Sequence, residues 1–154
     1  MNLKFLSFLV ITNTALNDPY PQNNVIGRPL EICSTDPMTG YTRDGRCAHI
    51  EQDRGTHTVC AEVTAEFLEY TASMGNNLSR PAPQYGFPGL RPGDHWCLCA
   101  SRWYQAHQAG VAPRVVLEAT NESTLRFGIP SELLRQYATG RDDVCHSNSS
   151  CSEN

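Results

Sequence analysis

Five cysteines, Cys33, Cys47, Cys60, Cys97 and Cys99, carry most of the chemistry that this sequence offers. A thiolate can ligate a soft metal, attack an electrophile or be oxidised to a disulfide. The chain has seven cysteines in all, an odd number, so complete pairing within one chain is impossible. Cys145 and Cys151 lie apart from the others, in a Ser/Asn-rich C-terminal stretch.

Two spacings stand out. Cys97 and Cys99 form a C-x-C; on a strand both would point to one face, about 6.8 Å apart at twice the rise per residue. Two thiolates so placed reach a common metal with modest twisting. His57 and Cys60 form an H-x-x-C, which a helix would bring to one side. Cys60, Cys97 and Cys99, with either His57 or Cys33, could thus supply a tetrahedral zinc site, and thiolates also suit Cu(I). Four protein ligands would make the metal structural; three plus water would make it catalytic. Against this stands the plainer reading of small buried cysteines acting as hydrophobes. Cys60 or Cys99 could instead be a reactive thiolate. Around them, Asp36, Asp44, Arg43 and Asp94 offer a base or an anion clamp. Asp-Pro and Asp-Gly are first of all turn formers, however, whose carboxylates bond their own backbone. His95 falls on the cysteine face of its strand and is a further candidate ligand.

The elements that must position these groups follow from periodicity. Cys60, Val63, Phe67, Tyr70 and Met74 recur at helical spacing and predict one main amphipathic helix over about 58–74, closed by Gly75. Cys60 would then sit in its first turn, with His57 just ahead. Asp44-Gly45 suggests a hairpin with arms at 41–43 and 46–48. Residues 76–94 hold four prolines and read as a long irregular loop. A strand is expected over 95–100, with Trp96 and Leu98 on the face opposite His95, Cys97 and Cys99. A short helix over 101–109, strands at 114–119 and 125–129 and a last helix over 131–137 complete a small α+β domain with a short mixed or antiparallel sheet and long Pro/Gly-rich loops. The expected organisation is an extension or weak signal segment over 1–23, one globular domain over 24–138 and a disordered tail over 139–154.

Composition excludes more than it selects. Net charge is −4, with no run of Lys or Arg, which disfavours nucleic acid and anionic membranes as partners. The apolar run at 5–11 is too short to span a bilayer, although it resembles the core of a signal peptide. Secretion would favour disulfides, and a cytosolic home would favour thiols or metal. Sequons at Asn77, Asn121 and Asn148 matter only on the secretory route. No P-loop, dinucleotide fingerprint or nucleophile elbow is present, which argues against nucleotide-dependent and standard hydrolase mechanisms.

Several pieces, in order along the chain, resemble a known family. They are the stretch from Cys33 to Gly40, Arg43-Asp44-Gly45 with Cys47, His57-Thr58-Val59-Cys60 and Thr64-Ala65-Glu66-Phe67-Leu68. Gly75-Asn76, Phe87-Pro88-Gly89-Leu90, Pro92-Gly93-Asp94, Trp96-Cys97-Leu98-Cys99-Ala100, Ala112-Pro113 and Leu117-Glu118-Ala119-Thr120 continue the match. Over about 24–138 the chain resembles the family catalogued as domain of unknown function 2237. The resemblance implies a single, mostly bacterial and cytoplasmic domain, and implies no activity. The N-terminal extension and the cysteine-bearing tail depart from the pattern. The sequence therefore leaves three expectations: a cysteine-rich metal-binding domain with zinc favoured, a thiol-dependent redox or cysteine-nucleophile enzyme, or a non-enzymatic module with a structural cysteine core.

Overall fold

The computed structural model describes residues 21–140. The expected signal segment and most of the expected tail, with Cys145 and Cys151, lie outside the described residues. Within them the order is β1 (His57–Glu62), α1 (Ala65–Ser73), β2 (His95–Cys99), α2 (Ala100–Gln108), β3 (Arg114–Val115) and α3 (Ser131–Gln136). The three strands form one antiparallel sheet in the order β2-β1-β3. The α+β expectation holds. Among the described residues no helix is long and apolar enough to cross a membrane.

Both faces of the sheet are covered, and this decides how the sequence must be read. One face carries Val59, Ala61, Trp96 and Leu98 into the main core with Phe67, Trp103 and Leu134. The other carries Cys60 and Cys97 into a smaller core with Cys33, Cys47 and Ala119. A strand buried on both sides reads as an unbroken apolar run. That is why residues 58–62, expected as the start of the main helix, form a strand instead. Cys60 is consequently mid-strand, not at a helix start. The helix itself is the shorter α1, capped by Thr64, whose Oγ1 accepts from the Phe67 N–H at 3.1 Å. Met74, expected on the buried face, is 44% exposed.

Other expectations also shift. The chain around Asp44-Gly45 forms bends, not a hairpin: the Asp44 carboxylate accepts from the Arg46 N–H, and the Gly45 carbonyl accepts from Cys33. The strand expected over 114–119 stops at Val115, and Leu117–Ala119 coils into a 3-10 turn. There the Thr120 hydroxyl donates to the Val116 carbonyl at 2.8 Å. The strand expected over 125–129 is replaced by a 3-10 helix, Glu122–Phe127, because the Asn121 side chain caps it by accepting from the Ser123 N–H.

Two disulfides, Cys33–Cys60 and Cys47–Cys97, fasten the loop of residues 33–47 to the sheet. Cys60 and Cys97 stand directly opposite each other across β1 and β2. Each bonds outward to a loop cysteine and not to its strand neighbour. The loop has no strand or helix of its own; these two anchors and the Thr39 Oγ1, which accepts from the Cys97 N–H at 2.9 Å, tie it to the sheet. Cross-links of this kind contribute about 2–4 kcal/mol, more for longer closed loops. The Cys47–Cys97 bond spans 50 residues of sequence. Replacing both Cys47 and Cys97 by Ala should therefore lower unfolding free energy by about 2–4 kcal/mol in urea denaturation. An unchanged midpoint and slope would show that the loop is held without the bond.

Candidate functional site

With four cysteines paired, one free cysteine remains among the described residues: Cys99, partly exposed. It ends β2 and immediately precedes α2, so the partial positive charge of that helix N-terminus falls on its position. Its cross-strand neighbour on β1 is His57.

A break in strand register makes that pairing. Cys60 faces Cys97 and Val59 faces Leu98, so an unbroken ladder would set Thr58 opposite Cys99 and turn His57 to the other face. Instead β1 advances two residues while β2 advances one, and His57 faces Cys99. A bulge of this kind re-aims a side chain, and bulges are over-represented next to active sites. Thr56, just before it, holds a φ of 47°, unusual for a β-branched residue. Its carbonyl accepts from Thr58 and from Ala100, tying the bulge to the start of α2.

The turn before β1 fixes the imidazole. Asp53 is buried, and one carboxylate oxygen contacts His57 Nδ1 at 2.8 Å. The same oxygen accepts from the Gly55 N–H at 3.1 Å, and the second oxygen accepts from the His57 N–H at 2.8 Å. The ring lies flat against Gly55, where a Cβ would come within 2.5 Å of His57 Cε1. Glycine is therefore required at this position by close approach. With Nδ1 held by a carboxylate, the other edge of the ring is available to Cys99.

The electrostatic result is a strongly basic imidazole. A hydrogen bond with Cys99 raises the His57 pKa most, and the Asp53 hydrogen bond and charge add to it. Partial burial opposes them, and the pKa moves from 6.5 to about 9. His57 is then an imidazolium at neutral pH.

His57 also lines a cleft of about 510 Å³ between the turn at 40–43, the irregular loop at 78–87 and the β2 edge. Arg43 enters this cleft, with its guanidinium carbon 5.0 Å from the Trp96 ring centroid. Phe87 meets the same indole edge-on at 5.2 Å.

The structure brings Cys33, Cys60 and Cys97 together with Cys47 and pairs His57 with Cys99 instead. The expected zinc set of Cys60, Cys97 and Cys99 with His57 or Cys33 is not assembled. Cys33, Cys60 and Cys97 are engaged in disulfides, and a sulfur so bonded has no thiolate to give a metal. His57 and Cys99 pair elsewhere. Asp36 is exposed in the turn at 35–38, and the exposed Asp44 caps its own backbone. Asp94 does the same for Arg91 at 2.8 Å. His95 sits at the strand end, 3.7 Å from Glu62. Of the loop residues singled out as catalytic candidates, Arg43 alone lines the cleft. Asp53 was not foreseen. The Asp-x-Gly-x-His run at 53–57 is the signal that marks it, an acidic turn closing onto a histidine.

The family model described as "uncharacterized protein conserved in bacteria (DUF2237)" matches residues 23–138 of the 154. The chain belongs to the DUF2237 family. No curated protein matches it significantly. Every group of the Asp53–His57–Cys99 arrangement in this DUF2237 chain falls inside the matched span.

The raised His57 pKa has a consequence for stability. The folded state binds this proton more tightly than the unfolded chain. The contribution is full below pH 6.5 and is lost as pH rises through about 9. Wild type should lose melting temperature across that window more steeply than His57→Gln. Parallel profiles for the two proteins would contradict the assignment.

Proposed function

We propose that this protein is a cysteine-nucleophile enzyme in which Cys99 attacks an electrophilic carbon, His57 manages the proton and Asp53 orients His57. The observation that carries the reading is the contact chain itself. A buried carboxylate grips one imidazole nitrogen, and His57 is the cross-strand neighbour of the one free thiol of the described residues. Nucleophile, base and orienting carboxylate in series are the working parts of covalent acyl-transfer catalysis. In such a step the Cys99 thiolate forms a C–S bond, the bond from that carbon to the leaving group breaks as the leaving group takes the His57 proton, and water then adds to the acyl carbon, returns a proton to His57 and releases the thiolate. The register break, the Gly55 contact and the strained Thr56 all serve to place His57. Strain concentrated at one histidine supports a functional role more readily than a packing role.

Alkylation with iodoacetamide near pH 7, without reductant and with peptide mapping, tests this. Cys99 should react at least about tenfold faster than free cysteine. His57→Gln, Asp53→Asn and Gly55→Ala should each slow it. A Cys99 rate at or below that of free cysteine, or one indifferent to His57→Gln, would remove the proposal.

A second reading rests on a different observation. One sulfur each from Cys33, Cys47 and Cys97 lies within 4.8 Å of the others, all three buried. Opened by a dithiol reductant, these cysteines, with Cys60 adjoining, would form a closed thiolate set suited to zinc. Zinc content measured after refolding in zinc with and without reductant separates the readings. One zinc per reduced chain and none per oxidised chain supports the metal site; none in either state rejects it.

A further inference from the structure

We propose that the cleft beside His57 is built for a small, flat anion, an aromatic or conjugated carboxylate, whose charge is received by Arg43 and His57. This rests on the reading of Cys99 and His57 as the reactive pair and goes beyond it by naming a ligand class for the cleft that His57, of the two, lines.

Three features of the cleft converge on that ligand. Its size of about 510 Å³ is that of a small-molecule pocket. Its walls are largely aromatic: Tyr41, Tyr85, Phe87 and Trp96 surround it, and Tyr85 is 74% exposed. Tyr41, 50% exposed, and Tyr85 are open to water at the rim of this concavity and gain by stacking on a flat ligand. Finally, among the described residues its charge-bearing lining is Arg43 and His57; Asp53, which contacts His57 at 2.8 Å, is not part of that lining, and the chain has a net charge of −4. A cationic lining in an acidic protein marks a local preference for an anion.

Arg43 is placed for this at a cost. It holds a φ of 57°, a left-handed conformation that non-glycine residues seldom adopt. Its N–H and one guanidinium nitrogen both bond the Gly40 carbonyl, at 3.1 and 3.3 Å. Among the described residues no carboxylate is paired with it. A guanidinium carries five N–H donors in a planar fork that fits a carboxylate. The Arg43 guanidinium lies over the buried Trp96 ring, which holds it at the cleft and leaves its remaining donors for a carboxylate.

Calorimetric titration with naphthoate, naphthamide and naphthylmethylamine tests the idea on one shape and three charges. Naphthoate should bind at least about tenfold tighter than the amide, and the amine weakest. Arg43→Gln should bring naphthoate down to the level of the amide, while Arg43→Lys should retain part of the preference. Equal binding of acid and amide, preference for the amine, or no binding of any of them by wild type would overturn the inference. The charge comparison within wild type needs no variant to fold. Fast Cys99 alkylation without naphthoate binding would sink only the cleft assignment. Naphthoate binding with an inert Cys99 would sink only the nucleophile.

Discussion

The antiparallel register of β1 against β2 is the constraint on which the rest of this molecule depends. It sets Cys60 opposite Cys97 and, through one extra residue at Thr58, sets His57 opposite Cys99. The first pair anchors two disulfides that carry the 33–47 loop, and with it Arg43. The second pair is the candidate reactive centre. Side chains alternate along a strand, so a slip of one residue would turn every cysteine to the main-core face and dismantle both at once. The pairing is held firmly because both faces are buried: aliphatic and aromatic groups on one side, sulfur on the other.

This arrangement explains how disulfides and a free thiol coexist two residues apart. Cys97 and Cys99 share a face, but Cys97 is enclosed while Cys99 lies at the strand end, where the chain turns into α2 and becomes partly exposed. Cys97 meets a loop cysteine; Cys99 meets a histidine. The two disulfides hold the loop to the sheet, and Cys99 is the one cysteine of the described residues left unpaired. The buried Asp53 contributes in a corresponding way. Its carboxylate is satisfied by two backbone N–H groups and the imidazole, so a charge that would otherwise be costly to bury becomes a fixed orienting group.

Much of the fold was legible from residue patterns, and its failures have a common physical cause. The β2 strand, the helix after it and the last helix follow from alternation, Gly110 and Pro130. Residues 58–62 were misread because a strand buried on both faces shows no alternation, and Cys60, Val63 and Phe67 happen to share a helical spacing. That cysteines would gather in the core was legible by type; their partners were not. Whether Cys60 meets Cys99 or Cys33 depends on a loop that no periodicity describes. The meeting of His57 and Cys99 depends on a bulge, which leaves no mark in composition. Asp53 was hidden because an aspartate near a glycine reads first as a turn former. It is one, and it grips the histidine as well.

The central claim is that Asp53 and Cys99 together hold His57 as a cation. It is tested most directly by following the His57 Cε1 proton resonance across pH in the oxidised protein. The account predicts a midpoint near 9 in wild type and a fall toward 6.5 in Cys99→Ala. A wild-type midpoint near 6.5, or one that Cys99→Ala leaves in place, would contradict it.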